Sequence, residues 1–303
     1  MCLNTKKRLL YIERLYGGLH TVAIKTGWID VDAISGHPIV KSCVRKKIRG
    51  KEAYEYYLQL NPNKGTHQEI MSSFSEYIKI IKDVLAAAGC SEFTITRADF
   101  AFNSDNSEDF QMFRKFTKLL IFGIAEACKT QNDYETFGLW NGVPLNAAVK
   151  NGYIEAENYD KEAESKGKTQ AKNRLELRSK RISCSLPEEF LQGWFGRLDK
   201  AVEQFQAVQD RLNEEMVRQW IENQKKDRKD REFLSITQFI LWNRNRIFTR
   251  GQLESLLNRI GSKNPKTTAK KLKSKHRIEF FSLTDLRIIT KALKKILTNY
   301  FQE

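Results

Sequence analysis

The stretch Gly152-Tyr153-Ile154-Glu155-Ala156-Glu157-Asn158-Tyr159-Asp160-Lys161 decides how the rest of the chain is read. Taken as a β-strand, its period of two sets Tyr153, Glu155, Glu157, Tyr159 and Lys161 on one face, with Ile154 and Ala156 on the other. A phenol, carboxylates and an ammonium then share one surface. A free phenol, with a pKa of about 10, needs such neighbours before it can attack as a nucleophile near neutral pH. The same pattern also describes an ordinary exposed strand with solvated charges, so the flanking segments have to decide.

Two of them repeat the alternation. In Phe93 to Asn103, Ala98, Phe100 and Phe102 point one way, and Arg97, Asp99 and Asn103 the other. In Asn173 to Ser179, Leu175 and Leu177 oppose Arg174, Glu176 and Arg178. Three strands with polar faces, interspersed with helical segments, predict an α+β fold in which an antiparallel sheet has its helices packed on one face. On the open face the carboxylates are expected to hold a hard divalent cation, Mg²⁺ or Mn²⁺, which prefers oxygen ligands. The cation would polarise a phosphate while Tyr159 attacks, with arginines on neighbouring phosphates.

Upstream, Leu9 to Leu15, His20 to Lys25, Pro38 to Arg45 and Tyr54 to Leu60 read as strands, with Gly17-Gly18 and Arg49-Gly50-Lys51 among their connections. Thr66-His67-Gln68-Glu69 fits a helix capping box, followed by apolar residues at helical spacing from Ile70 to Leu85 and a stop at Gly89. That places His67 in a first helical turn beside the basic loop of Lys64. Ser107 is expected to cap a second helix from Phe110 to about Lys129. Glu162 to Lys172 reads as a disorder-prone connector.

With 52 Lys and Arg against 37 Asp and Glu, the 303-residue chain carries a formal charge of +15. A polyanionic partner follows, nucleic acid ahead of membrane. No apolar run approaches the roughly 20 residues of a membrane span, and no signal-peptide core follows the polar start through Arg8. The expectation is a soluble protein of the bacterial cytoplasm. Five scattered cysteines without CxxC spacing argue against a disulfide framework or zinc site, and four histidines form no HxH or HExxH pair.

Beyond Ser183 the composition turns helical. The expected division is a domain over 1–183, a helical connector over 184–231 and a helical module over 232–303. In the last, Thr249 to Leu257 and the acid-free run Ser262 to Arg277 resemble a helix-turn-helix, with Lys263, Lys266, Lys270, Lys271 and Lys273 facing DNA.

The run Thr96-Arg97-Ala98-Asp99-Phe100-Ala101-Phe102, then Leu139-Trp140-Asn141, then Tyr159-Asp160-Lys161 with Glu164, then Arg174-Leu175-Glu176 resembles, in order and spacing, the replication initiators of filamentous phages of the gene II and CRI types. Rolling-circle plasmid initiators with a YDK run are more distantly similar, and Asn61-Pro62-Asn63-Lys64 resembles a short motif of the family. The likeness covers roughly residues 55 to 185, as short motifs. It implies an HUH or Rep-like nuclease that starts rolling-circle replication. A tyrosine attacks origin DNA, single-stranded or supercoiled, keeps the 5′ phosphate as an ester and frees a 3′ hydroxyl. A host helicase and polymerase would be partners; a membrane would not.

By this resemblance Tyr159 matches the nucleophile and Lys161 the basic residue two positions on. Tyr153 and Tyr134 are alternative nucleophiles. Asp99 and Glu176 match acidic positions implied as metal ligands, with Glu157 and His67 as further candidates. Arg97, Arg174, Arg178 and Lys64 are expected on DNA. The usual histidine pair of many nickases is absent. Two other classes remain open: a DNA-binding regulator without catalysis, and a conjugative relaxase.

Overall fold

Pairing between strands turns the alternation into two chemically distinct faces. The computed structural model describes residues 15–66, 69–71, 73–105, 110–127, 138–140, 143–150, 153–184, 188–276, 278 and 280–302. Its strands are β1 (Leu15–Thr26), β2 (Val40–Lys47), β3 (Tyr54–Leu60), β4 (Thr94–Ser104), β5 (Gly138–Trp140), β6 (Val143–Lys150), β7 (Ile154–Asp160) and β8 (Asn173–Cys184). Its longer helices are α1 (Phe74–Ala87), α2 (Phe110–Ala127), α3 (Glu188–Glu203), α4 (Phe205–Lys225), α5 (Ile236–Trp242), α6 (Arg250–Arg259), α7 (Pro265–His276) and α8 (Leu283–Gln302). The strands form one eight-stranded sheet, ordered β2-β3-β1-β4-β8-β7-β6-β5. Every neighbouring pair is antiparallel, so the expected α+β class with an antiparallel sheet is what the chain adopts. No helix among the described residues is long and apolar enough to cross a membrane.

Residues directly opposite one another in an antiparallel pair share a face. Leu19, Phe100, Leu177 and Ala156 form one apolar row across β1, β4, β8 and β7, and Phe102 and Leu175 continue it. All are buried, and helices close over them. α2 packs against β6, β7 and β8 and against α3 and α4, while α1 and α8 lie on β1. The indole N–H of fully buried Trp194, on α3, donates to Ser179 Oγ of β8 at 2.8 Å. α2 and α3 lie close together at Gly123, where a Cβ would stand 2.5 Å from the carbonyl oxygen of Ala201.

The packing crosses the divisions drawn at residues 183 and 231. In α8, Leu286, Ile289, Leu293 and Leu297 join the same buried cluster as the sheet. Near its end, the Phe301 ring lies 4.9 Å from Phe74 of α1 and 5.9 Å from Phe100 of β4.

Three local expectations are corrected. Gly17 and Gly18 are not a turn but lie inside β1, because the Phe102 ring and the Tyr300 ring occupy the space their Cβ atoms would need, at 2.7 and 2.6 Å. The helix expected from Thr66 starts at Phe74, capped by Ser73, whose Oγ accepts from the Glu76 N–H at 3.4 Å. Two capping boxes compete in that segment, and Glu69 of the first is engaged elsewhere. The connector after Lys161 is ordered: a one-turn helix, Lys161–Glu164, leads into a turn with Lys166 and Gly167 in the left-handed region, and the Lys172 N–H bonds to the Ser104 carbonyl at 2.8 Å. Ser107, His67 and Tyr134 lie outside the described residues.

Gly123→Ala tests the α2–α3 contact. Helix propensity favours alanine by about 1 kcal/mol, but the obstacle is backbone that cannot rotate away, so a net loss of about 1–2 kcal/mol is expected. Denaturant unfolding should show a lower midpoint with an unchanged slope.

Candidate functional site

The other face of the same strands is polar, row by row. Tyr16, Asn103, Arg174 and Tyr159 form one row across β1, β4, β8 and β7. Gly18, Ala101, Glu176 and Glu157 form the next, then Thr21, Asp99, Arg178 and Glu155, then Arg97 and Lys180. This face was expected to be open, yet Asp99 is 3%, Glu176 2% and Arg174 1% exposed. Charges so deeply placed have to neutralise one another.

Arg178 does most of that. Its guanidinium pairs with Glu176, lies 2.9 Å from Glu157 and 3.3 Å from Glu155, and comes within 3.7 Å of Asp99. Arg97 grips Asp99 with two bonds of 2.7 Å, and Lys180 takes Glu155 at 2.6 Å. Deeper in, the Tyr159 hydroxyl donates to Glu176 Oε1 at 2.7 Å. Arg174 Nε donates to Asn103 Oδ1 at 2.7 Å, and its Nη1 stands 3.7 Å from Glu176 Oε1 without a hydrogen-bond partner among the described residues. Glu69 Oε2 accepts from Asn103 at 2.9 Å and Tyr16 at 3.1 Å.

Alternation alone misses His20. Leu19 pairs with Phe100 and Thr21 with Asp99, so His20 is the extra residue of a β-bulge. A bulge puts two consecutive side chains on one face; here His20 Nδ1 lies 3.3 Å from Thr21 Oγ1 and 3.8 Å from Glu176 Oε1. Asn63 pins the bulge. Buried, it donates to the carbonyls of Leu19 (3.0 Å) and His20 (3.3 Å) and accepts from the Met71 N–H (2.9 Å). The Asn61-Pro62-Asn63-Lys64 motif therefore acts through Asn63 on the backbone of β1, and Lys64 is exposed beside it. The signal in sequence was the apolar-polar-polar-apolar order of Leu19-His20-Thr21-Val22.

Electrostatics follow from this burial. Desolvation drives His20 down to about 3, against the attraction of Glu176, so its imidazole is neutral. Burial would raise Glu176, but His20, Arg178 and Arg174 around it, with the Tyr159 hydroxyl, reverse the sign and hold it below the usual carboxylate range; with His20 neutral, the two arginines supply the charge. Asp99 is raised by burial despite Arg97 and Arg178. Glu157 is pushed up to about 7 by burial, against Arg178 and with the help of Glu155. The Tyr159 phenol is raised well above 10 by burial and by Glu176, with Arg174 opposing. Carboxylates beside this phenol thus do not ready it by ionising it; Glu176 can only receive its proton.

The structure brings Asp99, Glu157, Tyr159, Arg174, Glu176, Arg178 and Arg97 together. Others lie elsewhere. Tyr153 falls just before β7, is 64% exposed, and has the Arg181 guanidinium 5.8 Å from its ring centroid. Lys161 leaves the strand to open its helix and pairs with Glu164. Lys263, Lys266, Lys270, Lys271 and Lys273 are exposed on and just before α7, whose Ala269 and Leu272 pack inward on α6.

The donor set does not suit Mg²⁺ or Mn²⁺ as arranged. Asp99, Glu155, Glu157 and Glu176 are interleaved with guanidiniums and an ammonium, and no group of three or more metal-ligating side chains converges among the described residues. A hard cation needs several oxygens facing one point.

Between about pH 4.5 and about 7 the folded protein keeps the Glu157 proton that the unfolded chain has released, so this group lowers stability as pH rises through that window. Glu157→Gln should remove the fall: melting temperatures of variant and parent should converge below the window, and the variant should melt higher above it. Neither a family model nor a curated protein matches the chain, so function has to be read from this geometry.

Proposed function

We propose that the protein is a DNA strand transferase of the rolling-circle initiator kind, with Tyr159 as nucleophile. The observation that carries this reading is the 2.7 Å bond from the Tyr159 hydroxyl to Glu176, set between Arg174 and Arg178 on the polar face of a sheet in a strongly basic chain.

The chemistry needs a base for the phenol, an acid for the leaving oxygen and cations for the phosphate. Tyr159 Oη attacks phosphorus as its proton passes to Glu176 Oε1. Because Glu176 is held low and the phenol high, transfer belongs to the moment of attack rather than to a preformed phenolate. The departing 3′ oxygen takes the proton held by Glu157, next to Glu176 across the β7–β8 pair. Two neighbouring carboxylates pushed to opposite ends of the scale divide base from acid. One ester replaces another, so the bond energy is kept and the strand can be resealed. Arg97, Lys180 and Arg178, with side chains 31%, 20% and 17% exposed, are the cations open to an approaching phosphate, and Arg174, with its unpartnered Nη1, is the most buried cation of the face.

The basic helix α7, after α6, is the proposed second DNA contact, in the manner of a helix-turn-helix. A host helicase and polymerase complete the proposed setting in a bacterial cytoplasm. The 9% exposure of Tyr159 favours a second reading, a DNA-binding protein in which this network is structural.

Incubation with single-stranded DNA, followed by denaturing gels and peptide mapping, separates the two. A covalent adduct on Tyr159 is expected, lost in Tyr159→Phe. Glu157→Gln should slow it by about 10²–10⁴, and the parent rate should fall above about pH 7 as Glu157 deprotonates. An adduct that survives in Tyr159→Phe sinks the assignment; no adduct with any DNA leaves the binding protein.

A further inference from the structure

The polar face continues beyond Arg97. Ala23, opposite Arg97, carries the row to Gln59 of β3 and Ser42 of β2, and the next row sets Lys25 and Val44 on either side of Tyr57. β2 is the edge of the sheet. It joins β3 through a turn with Gly50 in the left-handed region.

From 41 to 55 this hairpin carries six cations, Lys41, Arg45, Lys46, Lys47, Arg49 and Lys51, against Glu52 and Glu55. Glu55 is already engaged, by Lys25 at 3.0 Å and by the Tyr57 hydroxyl at 2.9 Å. Two of the cations sit over rings. The Arg45 guanidinium carbon is 3.7 Å from the centroid of Tyr54, and Lys46 Nζ is 4.7 Å from that of Tyr57. By alternation the pairs occupy opposite faces of the hairpin, and the Tyr57 pair is on the face shared with Asp99 and Arg178. Tyr54 is 40% exposed.

Lysines along an edge strand keep sheets from pairing edge to edge. That role requires charge and no ring. Rings alternating with cations match a single strand, whose phosphates need neutralising and whose bases need a π-face to stack on. From Tyr57 to Asp99 is two strand spacings across and four residues along, about 16 Å. Bound strand of the usual site size, about 4–16 nucleotides, covers that distance.

We propose that the β2–β3 hairpin is a binding site for single-stranded DNA, with Tyr57 and Tyr54 stacking bases and Arg45, Lys46 and their neighbours holding phosphates, so that the strand passes round the sheet edge toward Tyr159. The choice of DNA and the destination rest on the strand-transfer reading; the ring and cation chemistry does not.

The test is fluorescence anisotropy of the full chain with a labelled oligothymidylate of about 20 nucleotides and with a duplex of the same length. Tyr57→Ala and Tyr54→Ala should each weaken oligothymidylate binding roughly five- to 150-fold, with a far smaller change on duplex. Tyr57→Phe, which keeps the π-face, should bind like the parent. Lys46→Ala should lower the slope of log affinity against log salt by about 0.7. Melting temperatures equal to the parent's show that each variant is folded. Alanine variants that bind as tightly as the parent overturn the proposal and leave edge protection as the hairpin's role; so does capture of phosphatidylserine vesicles with no oligothymidylate binding. Tyrosine-dependent binding without an adduct on Tyr159 upholds the hairpin site and overturns the strand-transfer reading instead.

Discussion

Arg178 is a single guanidinium among four carboxylates drawn from β4, β7 and β8. Each strand brings charge to a face on which Asp99, Arg174 and Glu176 are almost wholly buried, and none could do so alone. Removing Arg178 would strand the carboxylates around it, at a cost of about 3–5 kcal/mol. The network therefore fixes the register of the central strands as firmly as the apolar rows behind it, since a slip by one residue would exchange Phe100 and Leu177 for Asp99 and Arg178. The same arrangement that holds the sheet also sets the acidities around Tyr159. Stability and chemistry are not separable here.

The alternation in residues 93–103, 152–161 and 173–179 made the central sheet legible, because period two is strict and each strand has a buried face. The phenol and its row partners were legible for the same reason. Other features depend on partners that local pattern does not name. The bulge at His20 exists only relative to β4, and the glycine pair in β1 looks like a turn until Phe102 and Tyr300 are seen filling the space beside it. Helix α1 had two adequate capping boxes, Thr66 to Glu69 and Ser73 to Glu76; the site decided between them by engaging Glu69. Burial of the polar face was invisible for a deeper reason. A sequence of alternating charge reads as solvated, and only pairing with neighbouring strands turns solvated charges into mutually dependent ones.

That pairing changes what the carboxylates mean. In sequence, Asp99, Glu157 and Glu176 read as oxygen donors for a cation. Packed, each has a guanidinium within reach, from Arg97 of β4 or Arg178 of β8. Glu155, without an assigned role in the sequence, and Glu157 become a pair that shares its acidity with the rest of the network.

The contact of α8 with β1 has a consequence for synthesis. Some 260 residues separate the two elements in the chain, and a closure of that length carries an entropic cost that must be met before its contacts return anything. On the ribosome the sheet can pair strand by strand, yet the Phe74, Phe100 and Phe301 cluster cannot close until residues 283–302 have emerged. During that interval an apolar patch on the helix side of β1 is exposed, and a chaperone that recognises such surface has its opportunity then.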